Sequence, residues 1–234
     1  MTFSILGICG RTGKAGFCQA TSTPAVGWRC TDVVFGRGVL TVQAHGDYRQ
    51  LQVARQLFAA GASPDGVLDA LRRDDAFFDY RQIAILDLEG GAAVSTGAKA
   101  RPWAGEIVES DHIVTGNVLV GEHVLTAMTA AFAGAAAMEL EERLMRAVEA
   151  GRDAGGQAEG QTSCALVVYG SESFPLVNLR VDVAQEPVGE MRRIFDWFKP
   201  LIPYYLARTL DPTSVVPKKA YLEERGLPVN PYAR

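Results

Sequence analysis

The chain is poor in the residues that build metal centres and disulfide frameworks. Its 234 residues include four cysteines and three histidines. Cys9, Cys18, Cys30 and Cys164 form no C-x-x-C pair, and His45, His112 and His123 are widely scattered. No metal-ligand spacing results, so neither a metal nor another cofactor is expected. Charge of one sign is also lacking: the formal net charge is -4, which leaves no basic footprint for nucleic acid. No apolar run reaches the roughly 20 residues that span a bilayer, so no membrane partner is expected. The start lacks the basic-then-apolar pattern of a secretory signal, and a cytoplasmic protein with thiols kept reduced is the expectation. Neither a Walker-type nor a dinucleotide-type glycine order occurs, although 24 glycines are present.

What is present begins at the first residues. Thr2 to Cys9 reads as a buried strand, Arg11-Thr12-Gly13-Lys14 as a turn, and Phe17 to Thr21 as the returning strand. Cys9 and Cys18 are symmetric about the Gly13–Lys14 bond, which predicts that they face each other across this hairpin. Ala25 to Trp28 leads into an irregular stretch, followed by a strand over Val39–Gln43. Helical spacing then takes over from Tyr48, with Leu51, Ala54, Leu57 and Phe58 on one face. Ser63-Pro64-Asp65 opens a second helix. Tyr80–Leu88 and Ala92–Thr96 form a hairpin around Glu89-Gly90-Gly91. Short strands over Ile107–Val108 and His112–Thr115 precede a helix pair, His123–Phe132 and Met138–Ala150. Strands over Thr162–Tyr169 and Leu176–Val183 and a helix from Pro187 follow.

Helices that arrive in consecutive pairs argue against simple βαβ alternation. Each pair needs a sheet face for its apolar stripe. The expected fold is therefore α+β, a four-layer αββα sandwich over residues 1–199. After residue 200, Pro203, Pro212, Pro217, Pro228 and Pro231 punctuate a segment carrying Tyr204, Tyr205, Tyr221 and Tyr232. It reads as a Pro/Tyr-rich C-terminal arm over residues 200–234, lying on the body or on a second subunit. With Trp197 and Phe198 close by, it predicts a homodimer.

Thr2 offers a hydroxyl beside the start of the chain. With Met1 removed, it would hold a nucleophile and, in its own α-amine, a base of pKa about 7.7–8.0. The competing reading is a β-branched residue that merely begins a strand, and while Met1 is attached the nitrogen is an amide. Asn117 offers an amide N–H for an oxyanion; alternatively, Gly116-Asn117 is turn chemistry. Arg11, Lys14, Asp32 and Arg37 are charged groups near turns that either orient a substrate or are simply solvated. Gln43 and Ser163 are polar strand positions that either line a pocket between sheets or lie on a polar face.

The motifs Thr2-Phe3-Ser4-Ile5, Thr12-Gly13 with Gly16, Ala25-Val26-Gly27, Leu57 to Ser63 and Tyr80-Arg81-Gln82 occur in this order. Thr96-Gly97-Ala98, Trp103-Ala104-Gly105, Gly116 to Gly121, Gly160 to Ser163 and Leu179 to Asp182 follow them. In order and spacing the chain resembles domain-of-unknown-function family 1028, over about residues 2–199. Residues 28–50 and the tail after residue 200 depart from the pattern. The resemblance implies the fold of N-terminal-nucleophile (Ntn) hydrolases. It implies an amidohydrolase cleaving a small C–N amide with Thr2 as nucleophile, Asn117 as oxyanion donor, and Arg11, Gln43 and Ser163 on the substrate. The alternative is a non-catalytic small-ligand-binding or scaffold protein on the same fold.

Overall fold

A computed structural model describes residues 1–230. They fall into two compact units, residues 1–191 and the segment that begins at Arg192. The division lies inside a helix, ahead of the break that composition suggests at residue 200.

In the first unit the strands are β1 (Thr2–Cys9), β2 (Lys14–Thr21), β3 (Thr31–Val34), β4 (Gly38–Ala44) and β5 (Arg81–Asp87). They continue with β6 (Ala92–Thr96), β7 (Ala104–Val108), β8 (His112–Asn117), β9 (Ser163–Tyr169) and β10 (Pro175–Val181). One six-stranded sheet has the order β10-β9-β2-β1-β8-β7 and one four-stranded sheet the order β3-β4-β5-β6. All strand pairings are antiparallel. The helices are α1 (Tyr48–Ala59), α2 (Pro64–Asp74), α3 (His123–Gly134), α4 (Leu140–Asp153) and α5 (Pro187–Phe198).

Local chemistry sets the helix ends. Asp47 caps α1 by accepting from the Arg49 N–H, and Ser63 caps α2 by accepting from the Gly66 N–H. Pro64 stands in the first turn of α2, and Arg72 and Arg73 in its last turn, where positive charge suits the helix dipole.

The strand period of two then sorts each face. Phe3, Ile5 and Gly7 of β1 lie on the face toward α3 and α4; a Cβ at Gly7 would come within 3.0 Å of the Phe132 ring. Helices α3 and α4 cover this sheet through Met128, Phe132 and Leu144, and α1 and α2 cover the four-stranded sheet through Leu51, Phe58, Val67 and Leu71. Burying each such side chain contributes about 1.5–3 kcal/mol. The remaining faces meet each other. Leu6, Ile8, Phe17 and Ile113 of one sheet share a core with Val33, Val39, Ala84 and Leu86 of the other. This shared layer is apolar at one end only. Toward the start of β1 it is built from Thr2, Ser4, Gln19, Thr21, Thr41, Gln43, Gln82, Thr115 and Asn117, all buried.

Several expectations are corrected. The β1–β2 register pairs Cys9 with Lys14 and Ile5 with Cys18, so Cys9 and Cys18 do not face each other. The turn closes earlier because Cys9 C=O accepts from the N–H groups of Thr12 and Gly13, with Gly13 at φ 64°. Cys18 instead neighbours Cys164 of β9; burial first, and then that second thiol, push its pKa well up. The stretch taken as irregular contains β3. Gly116 and Asn117 are not a turn: they complete β8, and beyond them Val118, at φ 56°, and Leu119 still donate to the carbonyls of Arg101 and Trp103.

In the second unit the Pro/Tyr-rich segment is helical, with α6 (Ile202–Leu210) and α7 (Lys218–Glu223). Tyr204 packs on Tyr221 with ring centroids 4.8 Å apart, and Tyr221 donates its hydroxyl to the Pro200 carbonyl at 3.1 Å. Pro231 and Tyr232, read as part of the arm, lie outside the described residues.

Candidate functional site

Thr2 begins β1, the strand held between β2 and β8 near the middle of the six-stranded sheet. It lies directly opposite Thr21 on one side and Asn117 on the other. The Thr2 and Thr21 hydroxyl oxygens are 3.1 Å apart. Thr21 donates its one proton to the Met1 carbonyl. In this state the Thr2 hydroxyl is therefore the donor to Thr21.

Asn117 is 1% exposed and ends β8 beside Thr2. Its Nδ2 donates to Gln82 Oε1 at 3.0 Å. An amide nitrogen carries two protons, and the second has no protein acceptor among the described residues. Gln82 is the hub of this layer. Its Oε1 also accepts from Gln43 Nε2 at 2.8 Å, and its Nε2 reaches Thr96 Oγ1 at 2.8 Å, Gly116 O at 2.9 Å and Gly105 O at 3.0 Å. Ser4 Oγ donates to Gln43 Oε1 at 2.8 Å. The amides of Gln43, Gln82 and Asn117 are thus locked to one another, the state in which buried polar groups are rigid.

Residue 1 lies between two cavities. One, of about 220 Å³, is lined by Thr2, Thr21, Trp28, Arg29, Gln43 and Tyr48. The other, of about 240 Å³, is lined by His45, Arg101, Asn117 and Val118. Met1 and Ala44 line both. A larger hollow of about 420 Å³, lined by Arg72, Asp75 and Thr96, lies away from the chain start.

The backbone around these cavities is strained. Non-glycine residues with positive φ are Ala25 at 58°, Ala44 at 69° and Val118 at 56° among the described residues. Ala44 and Val118 line the cavities, and Ala25 precedes Val26, which also does. Each costs of order 1–3 kcal/mol, and such strain gathers at functional sites. Burial first, and Arg101 next, lower the pKa of the α-amine of residue 1, and Arg29 acts in the same sense. The nearby Cys30 thiol is pushed up by its burial, which keeps it protonated.

Thr2, Gln43 and Asn117 are therefore brought together. Ser163 is close but committed: its hydroxyl donates to the Thr23 carbonyl at 2.6 Å and accepts from the Val26 N–H at 3.1 Å, so it holds the cavity wall. Arg11 is not brought to this place. It stands past the opposite end of β1, 3.6 Å from Glu139, where Lys14 meets Glu139 and Glu141. Asp32 pairs with Arg55 at 2.9 Å, and Arg37 donates to the carbonyls of Phe58 and Ala62. Sequence reasoning missed Thr21, Gln82 and Arg101. The hairpin register points to Thr21, and Gln82 stood in the Tyr80-Arg81-Gln82 motif; nothing local pointed to Arg101.

Among the described residues no cluster of three His, Cys, Asp or Glu could hold a metal ion. No helix among them is long and apolar enough to cross a membrane.

No curated protein matches the chain. Among solved structures, it is similar to Anbu (ancestral beta-subunit) from Yersinia bercovieri at 10% identity and TM-score 0.42, over 87% of this chain and 96% of that one. It is also similar to a Silicibacter pomeroyi protein, assigned in its crystal structure's description to DUF1028, at 30% identity and TM-score 0.78. That similarity covers 85% of this chain and 89% of the other. The model of a family of unknown function, DUF1028, matches residues 2–191. The chain belongs to the DUF1028 family.

Proposed function

We propose that the two sheets and their helix pairs form the four-layer αββα sandwich of Ntn hydrolases, and that the protein is an amidohydrolase acting on a small C–N amide. Thr2 is its nucleophile once Met1 has been removed. The observation that carries this reading is the placement of Thr2 opposite Asn117, beneath a residue 1 that lies between two cavities.

The chemistry follows from the groups in place. Loss of Met1 turns the Thr2 nitrogen into a primary amine and releases the Thr21 hydroxyl from the Met1 carbonyl. Burial and then Arg101 favour the neutral form of the Met1 amine, and the reading takes the Thr2 amine, one residue on, to meet the same neighbours. The neutral amine takes the Thr2 hydroxyl proton as Oγ1 attacks the amide carbon. The uncommitted N–H of Asn117 faces the developing oxyanion and is held there by Gln82. The C–N bond breaks as the ammonium returns its proton to the departing nitrogen. Water, deprotonated by the same amine, then hydrolyses the acyl ester and restores Thr2.

The test combines intact-mass spectrometry of protein made in cells with an amide panel assayed for amine release. Turnover by the Met1-free form, absent in Thr2→Ala, is the expected result. Protein that retains Met1 throughout, or Met1-free protein that binds amides and releases nothing, would falsify the reading in favour of a non-catalytic binding protein.

A further inference from the structure

The cavity beside Thr2 has a rim that the hydrolytic chemistry leaves unused. Trp28 and Tyr48 stand there edge to face, with ring centroids 5.3 Å apart and planes at 70°. They are 51% and 49% exposed, whereas the largest side chains of the core are fully buried. Trp28 ends the short turn that precedes β3, and Tyr48 opens α1, so elements far apart in the chain bring these rings together. An aromatic pair held half in water at a cavity mouth offers a flat apolar surface to a ligand.

Arg29 lines the same cavity. Its Nη1 donates only to neutral oxygens, Thr23 Oγ1 and Pro24 O, each at 3.3 Å. No Asp or Glu lines the cavity among the described residues. A guanidinium carries five N–H donors in a fork that matches a carboxylate. This fork is therefore available beside the aromatic pair, with Thr2 on the same wall. A volume of about 220 Å³ selects a small ligand, below the roughly 300–1,000 Å³ usual for drug-sized ones.

We propose that this cavity binds aromatic acylamino acids: the flat acyl group lies against Trp28 and Tyr48, the carboxylate lies on Arg29, and the amide between them faces Thr2. The binding site stands on the geometry of the rim. Only the fate of the amide rests on the hydrolase reading.

The test is calorimetry on the full chain carrying Thr2→Ala, with N-benzoylglycine, N-benzoylglycinamide and N-acetylglycine as probes. N-benzoylglycine binds at least about tenfold tighter than either of the others, a difference of about 1.4 kcal/mol. Arg29→Gln removes the preference over the neutral amide and keeps the preference over the acetyl compound; Arg29→Lys keeps part of the former. Trp28→Ala does the reverse. Circular dichroism confirms that each variant is folded. Equal binding of the three probes, no measurable binding of N-benzoylglycine, or preferences that neither substitution moves overturns the proposal. Benzoate release by the Met1-free protein with Thr2 intact reads the hydrolase question separately. Selective binding without release removes the hydrolase and leaves the pocket; release without selectivity does the opposite.

Discussion

Thr2 and Asn117 face each other across the β1–β8 pairing, the first residue of one strand against the last of the other. Directly opposed strand residues hold their Cβ atoms about 4.5–5.5 Å apart. An amide N–H and a hydroxyl oxygen at that spacing can address one carbonyl group. Asn117→Ala is expected to lower kcat on a cleaved amide by about 100-fold to 1,000-fold, the usual loss for one oxyanion donor. KM should change far less. Steady-state kinetics checks this, and an unchanged kcat removes Asn117 from the mechanism.

Gln82 holds Asn117 and Gln43 with one oxygen. Gln82→Leu would leave two buried donors without that acceptor, at about 1–3 kcal/mol each. Urea denaturation should show a loss of about 3 kcal/mol. A loss under about 1 kcal/mol would mean that the layer rearranges to satisfy itself.

The Met1 amine is held below its ordinary pKa by burial and then by Arg101. In Met1-free protein the Thr2 amine becomes the chain start, and under the proposed chemistry activity is expected to rise with pH as the Thr2 amine loses its proton. Arg101→Gln removes a neighbouring positive charge, so the protonated amine becomes easier to keep and the rising limb moves to higher pH. A pH–rate profile, or an NMR titration of the amine, reads the direction. A limb that stays in place or moves down rejects the assignment.

Arg81 fixes the start of β5. It pairs with Asp75 at 2.7 Å and with Asp47 at 3.6 Å, and it donates to the His45 carbonyl in the cavity wall. The Arg81 and Asp75 side chains are only 10% and 5% exposed. Removing one partner of such a buried pair costs about 3–5 kcal/mol, so Arg81→Met should lower stability by about that much. Asp47 is held at about 2, first by its bond from the Arg49 side chain and against its own desolvation. Its folded pKa lies below its unfolded one of about 3.9. The stability it contributes is therefore complete above about pH 4 and fades as the pH falls toward 2. Asp47→Asn should flatten that part of a denaturation-versus-pH curve, while an undiminished slope would assign the acid limb to other carboxylates.

Much of the frame was legible because its signals are local. The alternation of Tyr80 to Leu88, the Glu89-Gly90-Gly91 turn and the Ser63-Pro64 helix start each act within a few residues, and β5, β6 and α2 lie where those signals put them. Thr31–Val34 was not recognised because a run of four residues is too short to establish a period. The Cys9–Cys18 prediction failed for a related reason: symmetry about Gly13 ignored the two amides that close the turn onto the Cys9 carbonyl. Thr2, Gln43 and Asn117 could be named from residue type. That they share a neighbour in Gln82 could not, because a strand's own pattern does not say which strand of the opposite sheet it meets.

Because Met1 lines both cavities, anything spliced ahead of it starts from their shared wall. A purification handle on that side would leave residue 2 acylated. Protein prepared in that form should look well folded and inert, so assays should begin with material whose handle is at the opposite end.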